Sequence, residues 1–207
     1  MRGTLCAARH AMTFDARLQA ALDRFDALNA QDPNTELVEG RPEPKELLYA
    51  RRMTQWLHRL EPEASVTLQL AARSQHLMRW HIPRETFPKD RAGYIRWRTT
   101  LYDFHADRAA EVLRNVGYDE ATIERVRSLI RKQNLKTDPE AQTLEDVICL
   151  VFLENYFADF ARNHDEEKLL KILHKTWKKM SPRGQAAAMK LNLGPRELEL
   201  IEKALNQ

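Results

Sequence analysis

The stretch from Pro139 to Arg162 limits the fold more than any other part of the chain. Placed on a helix, Leu144, Val147, Ile148, Leu150, Val151, Phe152, Leu153, Tyr156, Phe157 and Phe160 point in nearly every direction. A helix that is apolar all round has no face to give to water, so it belongs at the centre of an assembly of other helices. No run in the chain reaches the roughly 18 consecutive apolar residues of a membrane-spanning helix.

Partners for that helix are legible on both sides of it. Phe14, Leu18, Leu22, Phe25 and Leu28 recur at spacings of three and four, the stripe of an amphipathic helix ending near Asn29. Asp32-Pro33-Asn34 breaks it, and the segment through Arg41-Pro42-Glu43-Pro44 reads as a loop. A second helix carries Tyr49, Met53, Trp56 and Leu60 on one face and leaves His58 on the solvated face. A third, opening at Pro62, Glu63 and Ser65, is expected to run to about Trp80 and to stop at Pro83. A fourth, from about Ala92 to Asn115, places His105 among Leu101, Ala109 and Val112. Gly117 ends it, and Asp119 caps the next, with Ile123, Val126, Leu129 and Ile130 inward. After the central helix, Asp165–Met180, Ser181–Leu191 and Pro195–Leu205 complete an all-α chain of about nine helices with no alternating strand pattern.

A length of 207 residues fits one domain, and six glycines argue against a turn-rich sandwich or barrel. The expected organisation is a flexible tail over 1–11 followed by a single helical domain over 12–207. Its core spans about 44–163, with the helices of 165–206 packed on it. The tail has arginines but no apolar segment of the secretory type, and the expected location is cytoplasmic. Cys6 and Cys149 form no CxxC motif, and Cys149, inside CLVFL, reads as a buried inert thiol. A net charge of +3 does not by itself call for nucleic acid and does not exclude it.

The informative conflicts are polar residues in apolar places. Gln142, Glu145, Asp146 and Cys149 share one face of the central helix. Acids near a helix N-terminus suit its dipole, yet Asp146 is flanked by apolar residues, and if buried it needs a cation, a donor set or a metal. His76, His105 and Asp146 come from three helices that one bundle can bring together. Two histidines and a carboxylate suit a divalent metal such as manganese, iron, zinc or nickel, and equally suit ion-paired packing. Arg73, Arg79, Arg84, Arg96 and Arg98, with Lys89 and Arg91, surround the turn after His76. They are candidates to grip a phosphate or carboxylate; the alternative is a solvated surface partly paired with Glu85 and Asp90. Trp80, Tyr94 and Trp97 read as core anchors rather than stacking platforms.

The segments QHLMRWHIPR, DRAGYIRWR, Val116-Gly117-Tyr118 and QTLEDVICLVFLE, together with His105, resemble the family called domain of unknown function 4202, from about Phe14 to Leu205. The order of elements is also distantly similar to the HD-domain phosphohydrolases, whose metal site uses a first histidine, a His-Asp pair and a late aspartate. That likeness implies an orthogonal helical bundle, with Asp146 as the late aspartate and His105 as an auxiliary histidine. Gln75-His76 stands where the His-Asp pair belongs, and Tyr49 or a neighbour where the first histidine belongs, so the pattern is eroded. The resemblance implies a metal-dependent phosphohydrolase acting on a small phosphorylated or nucleotide substrate. Its metal would be held by His76, His105 and Asp146, with Glu145 accepting a proton. The competing expectation is a metal-free module that binds an anionic ligand, RNA or a protein.

Overall fold

The computed structural model describes residues 14–205, so the N-terminal tail and Cys6 lie outside the described residues. The described chain is a compact all-α domain. In order it forms α1 (Phe14–Asn29), β1 (Thr35–Val38), β2 (Arg41–Pro44), α2 (Lys45–Leu60), α3 (Val66–Ser74), two 3-10 turns (Arg79–His81 and Arg84–Thr86) and α4 (Arg91–Val116). There follow α5 (Glu120–Ile130), α6 (Pro139–Asn155), α7 (Phe157–Arg162), α8 (Glu166–Lys179), α9 (Pro182–Ala188) and α10 (Pro195–Leu205). None of the described helices is long and apolar enough to cross a membrane.

The apolar run does form the central element, as α6, started by the Asp138 cap and Pro139 in its first turn. The pattern breaks sooner than expected. Tyr156 leaves the helical conformation and separates α6 from the short α7, turning its ring toward α2. Buried side chains form one contiguous core from Ala21 and Phe25 in α1 to Leu200, Ile201 and Ala204 in α10. The core therefore reaches beyond 44–163 and takes in α1. Burying a side chain the size of Phe25, fully inaccessible here, favours folding by about 1.5–3 kcal/mol.

Two local departures from the sequence reading shape the site. The segment expected to be a loop after Pro33 contains an antiparallel hairpin, with Val38 opposite Arg41 and Thr35 opposite Pro44. Its two-residue turn, Glu39-Gly40, has φ of 49° and 78°, both left-handed, as a primed hairpin turn requires. Pro44 has no side-chain cap to offer α2, so buried Asp32 reaches across and accepts from the Glu46 backbone N–H at 3.0 Å. The second departure is α3, which ends at Ser74 instead of near Trp80. Met78 adopts φ 55°, and its backbone N–H donates to Asn29 Oδ1 at 2.9 Å. Asn29 is fully buried and its Nδ2 also donates to the Glu46 carbonyl at 3.4 Å. One asparagine thus ties the end of α1 to the first turn of α2 and to the Met78 turn.

Candidate functional site

These ties bring α2, the 75–79 turn, α4, the end of α5, α6 and the end of α8 around a cleft of about 360 Å³. That size lies within the usual range for small-molecule sites. Its charged lining is five cations, Lys45, Arg79, Arg98, Lys132 and Lys179, against two carboxylates, Glu46 and Glu145. Tyr49, Ile148, Cys149, Phe152 and Tyr156 supply the apolar wall. An inner chamber of about 200 Å³ shares His76, Arg79, Arg98, Lys132 and Ile148 with it and is otherwise lined by Gln75, Tyr94, Trp97, Leu101, Tyr102 and His105.

His76 stands at the junction. Its ring stacks on Tyr49 with centroids 3.9 Å apart and planes 10° from parallel. Arg79 Nη1, a donor only, is 3.4 Å from His76 Nε2, so Nε2 accepts and the ring proton sits on Nδ1, 3.2 Å from Glu46 Oε2. Burial, and then the nearby charges of Arg79, Lys132 and Arg98, hold His76 well below the ordinary histidine range, so it is neutral. Glu46 moves the other way. Burial raises its pKa despite Arg79, whose Nε is 3.7 Å from Oε1.

His105 is 1% exposed, and its Nδ1 lies 2.8 Å from the Leu77 carbonyl, to which it donates. Burial and neighbouring His76 push its pKa down from 6.5 to about 3. A histidine with a depressed folded pKa cannot take the proton that the unfolded chain accepts. Its contribution to stability is therefore whole above pH 6.5 and is lost as pH falls toward 3. Glu46, with a raised pKa, opposes this trend just above pH 4.5. Because His76 is depressed as well, urea titrations should show stability falling by roughly 2–3 kcal/mol per pH unit below pH 6.5. His105→Asn, which keeps the donor to Leu77, should roughly halve that slope; an unchanged slope would contradict a buried neutral His105.

Glu145 also lies in the cleft. Burial alone would raise its pKa, but Lys132 at 2.5 Å and Lys179 at 3.7 Å outweigh it and keep the carboxylate ionised. Lys132 follows the end of α5 at φ 56°, and its Nζ also sits 5.6 Å from the Tyr102 ring centroid. Cys149 is buried as expected. Desolvation pushes its thiol up to about 12, so it is protonated and unreactive.

The structure gathers some of the expected residues and leaves others apart. His76, Arg79, Arg98 and Glu145 line the cleft, and His105 lines its inner chamber. Asp146, one residue beyond Glu145, points away from it. Its Oδ1 accepts from the Ser181 N–H at 2.8 Å and Gln142 Nε2 at 3.0 Å, and its Oδ2 from Ser181 Oγ at 2.5 Å. It thereby anchors the start of α9, whose Gly184 lies so close that a Cβ there would come within 2.6 Å of Asp146 Cγ. Arg73 is occupied by a two-pronged pair with Asp26, at 2.7 and 2.6 Å, which joins α3 to α1. Arg84 donates to the Phe87 and Pro88 carbonyls and borders a neighbouring depression, while Arg96 is exposed and outside the cleft. Tyr94 and Trp97 are not core anchors: Tyr94 is 44% exposed, and Trp97 lies under the guanidinium groups of Arg79 and Arg84. Lys45, Glu46, Lys132 and Lys179 were not foreseen. Charges near helix ends look like solvated surface until the fold brings them together.

The donor set does not fit a divalent metal. Among the described residues, no three His, Cys, Asp or Glu side chains are grouped to hold one. Both Asp146 oxygens face α9, and the histidines sit among Arg79, Arg98 and Lys132, whose charge opposes a cation. No curated protein and no solved structure matches this chain. The family model described as Domain of unknown function (DUF4202) matches residues 19–201, nearly the whole described domain, and the chain belongs to that family.

Proposed function

We propose that this protein binds a small phosphorylated or similarly anionic molecule in the α2–α6 cleft, without a metal. The observation that carries this reading is the five-to-two excess of cations over carboxylates in one concave site, beside histidines that burial keeps neutral. Such a cleft concentrates anions, and its low-dielectric walls make each charged hydrogen bond stronger than on an open surface. Glu46 and Glu145 hold Arg79 and Lys132 in place rather than cancelling the site, because Lys45, Arg98 and Lys179 remain in excess.

Phosphorylated metabolites in a thermal-stability screen should include compounds that raise the melting temperature. The effect should survive EDTA, weaken with salt, and fall at least tenfold in affinity in Arg79→Ala/Lys179→Ala. A stabilising compound that requires added metal and ignores this double variant would overturn the reading. Hydrolysis of a phosphate ester, as the likeness to HD-domain enzymes implies, is the second reading. The Glu46···His76 pair favours it, since it keeps the ring proton on Nδ1, so that Nε2, which accepts from Arg79 here, can take a proton when Arg79 turns to the substrate phosphate. It predicts phosphate release that is lost in His76→Asn.

A further inference from the structure

The two chambers differ in chemistry. The outer one is ringed by ammonium and guanidinium groups. Among the residues that wall the inner one are Gln75 and His105, whose Oε1 and Nε2 are buried acceptors with no hydrogen-bond partner among the described residues. Their side chains belong to residues only 2% and 1% exposed. Leaving a buried polar atom unpaired is costly, so two of them in the wall of one chamber point to a ligand that supplies the missing bonds. The tautomer of His105 is set by the Leu77 carbonyl, so Nε2 offers only a lone pair. The group that enters must therefore donate hydrogen bonds.

Two kinds of donor are disfavoured. An ammonium would enter between Arg79, Arg98 and Lys132 and be repelled. A nucleobase needs an open aromatic face, yet each of these rings already has a partner on one face. Tyr49 stacks on His76, Arg79 covers Trp97, Arg98 lies over both Tyr94 and Tyr102, and Arg52 lies over Tyr156. Neutral hydroxyl groups remain. We infer that the inner chamber is a hydroxyl-recognition subsite. The ligand of the cleft is then a phosphorylated sugar or polyol, with its phosphate on the cationic rim and its hydroxyls donating to His105 Nε2 and Gln75 Oε1. This inference rests on the anion-binding reading above.

The test is calorimetric binding to the full chain of probes that share one phosphate monoester. They are ribose 5-phosphate, glucose 6-phosphate, erythritol 4-phosphate and inositol 1-phosphate, against propyl phosphate and AMP. At least one polyol phosphate should bind tenfold or more tightly than propyl phosphate and AMP. His105→Asn, which keeps the donor to Leu77, and Gln75→Leu should each shrink that ratio at least fivefold. Propyl phosphate or AMP binding as tightly as every polyol phosphate would overturn the subsite and leave the anion site standing. Failure of every probe to bind would overturn both.

Discussion

Lys132→Met should destabilise the protein by about 3 kcal/mol, because it removes the closest counter-charge of a buried carboxylate. Glu145 is 3% exposed; Lys132 stands 2.5 Å from it, and the remaining Lys179 is more distant at 3.7 Å and more exposed. Such a pair adds little net stability when intact, since both ions lose water on burial. Breaking it from one side leaves a charge with nowhere to go. Urea unfolding followed by tryptophan fluorescence measures the loss. Adding Glu145→Gln should recover much of it, because the buried charge is then gone. A cost below about 1 kcal/mol for Lys132→Met would mean that Glu145 is far better hydrated than its burial indicates.

Asp146→Ala should cost a comparable amount, about 2–4 kcal/mol, for a different reason. It deletes the acceptor of three hydrogen bonds, two of them from the Ser181 cap of α9. It also leaves a gap opposite Gly184, whose missing Cβ is what allows the close approach of α9 to α6. Limited proteolysis should open first between α8 and α10. Phosphate-ester affinity should persist while the domain stays folded, since Asp146 does not line the cleft. If Asp146→Ala instead leaves stability unchanged and abolishes ligand or metal binding, the anchoring role is wrong.

The fold was legible where a pattern could be satisfied in only one way. The all-round apolar α6 had to be central, and Ser181-Pro182 and Gly194-Pro195 marked the last helices because caps and prolines act locally. The hairpin escaped notice because Arg41-Pro42-Glu43-Pro44 holds two prolines and Glu39-Gly40 is not the usual Asn-Gly signal. The early end of α3 depends on Asn29 bonding to Met78, 49 residues along the chain, which no local rule reports. The site divides in the same way. His76, Arg79, Arg98, His105 and Glu145 stood out as charge or imidazole in unusual places, and they meet. Asp146 stood out equally, but its partner is the Ser181 cap, 35 residues away. Lys45, Glu46, Lys132 and Lys179 carry no local mark, and only their meeting across α2, α5, α6 and α8 makes them a site.

That meeting is the central claim, and backbone amide chemical shifts during titration with inorganic phosphate test it most directly. The account predicts saturable shifts, insensitive to EDTA, clustered at 45–49, 75–79, 98, 132, 145–156 and 176–179. Shifts that fail to saturate, or that scatter over the outward lysines of α8 such as Lys168, Lys175 and Lys178, would contradict it.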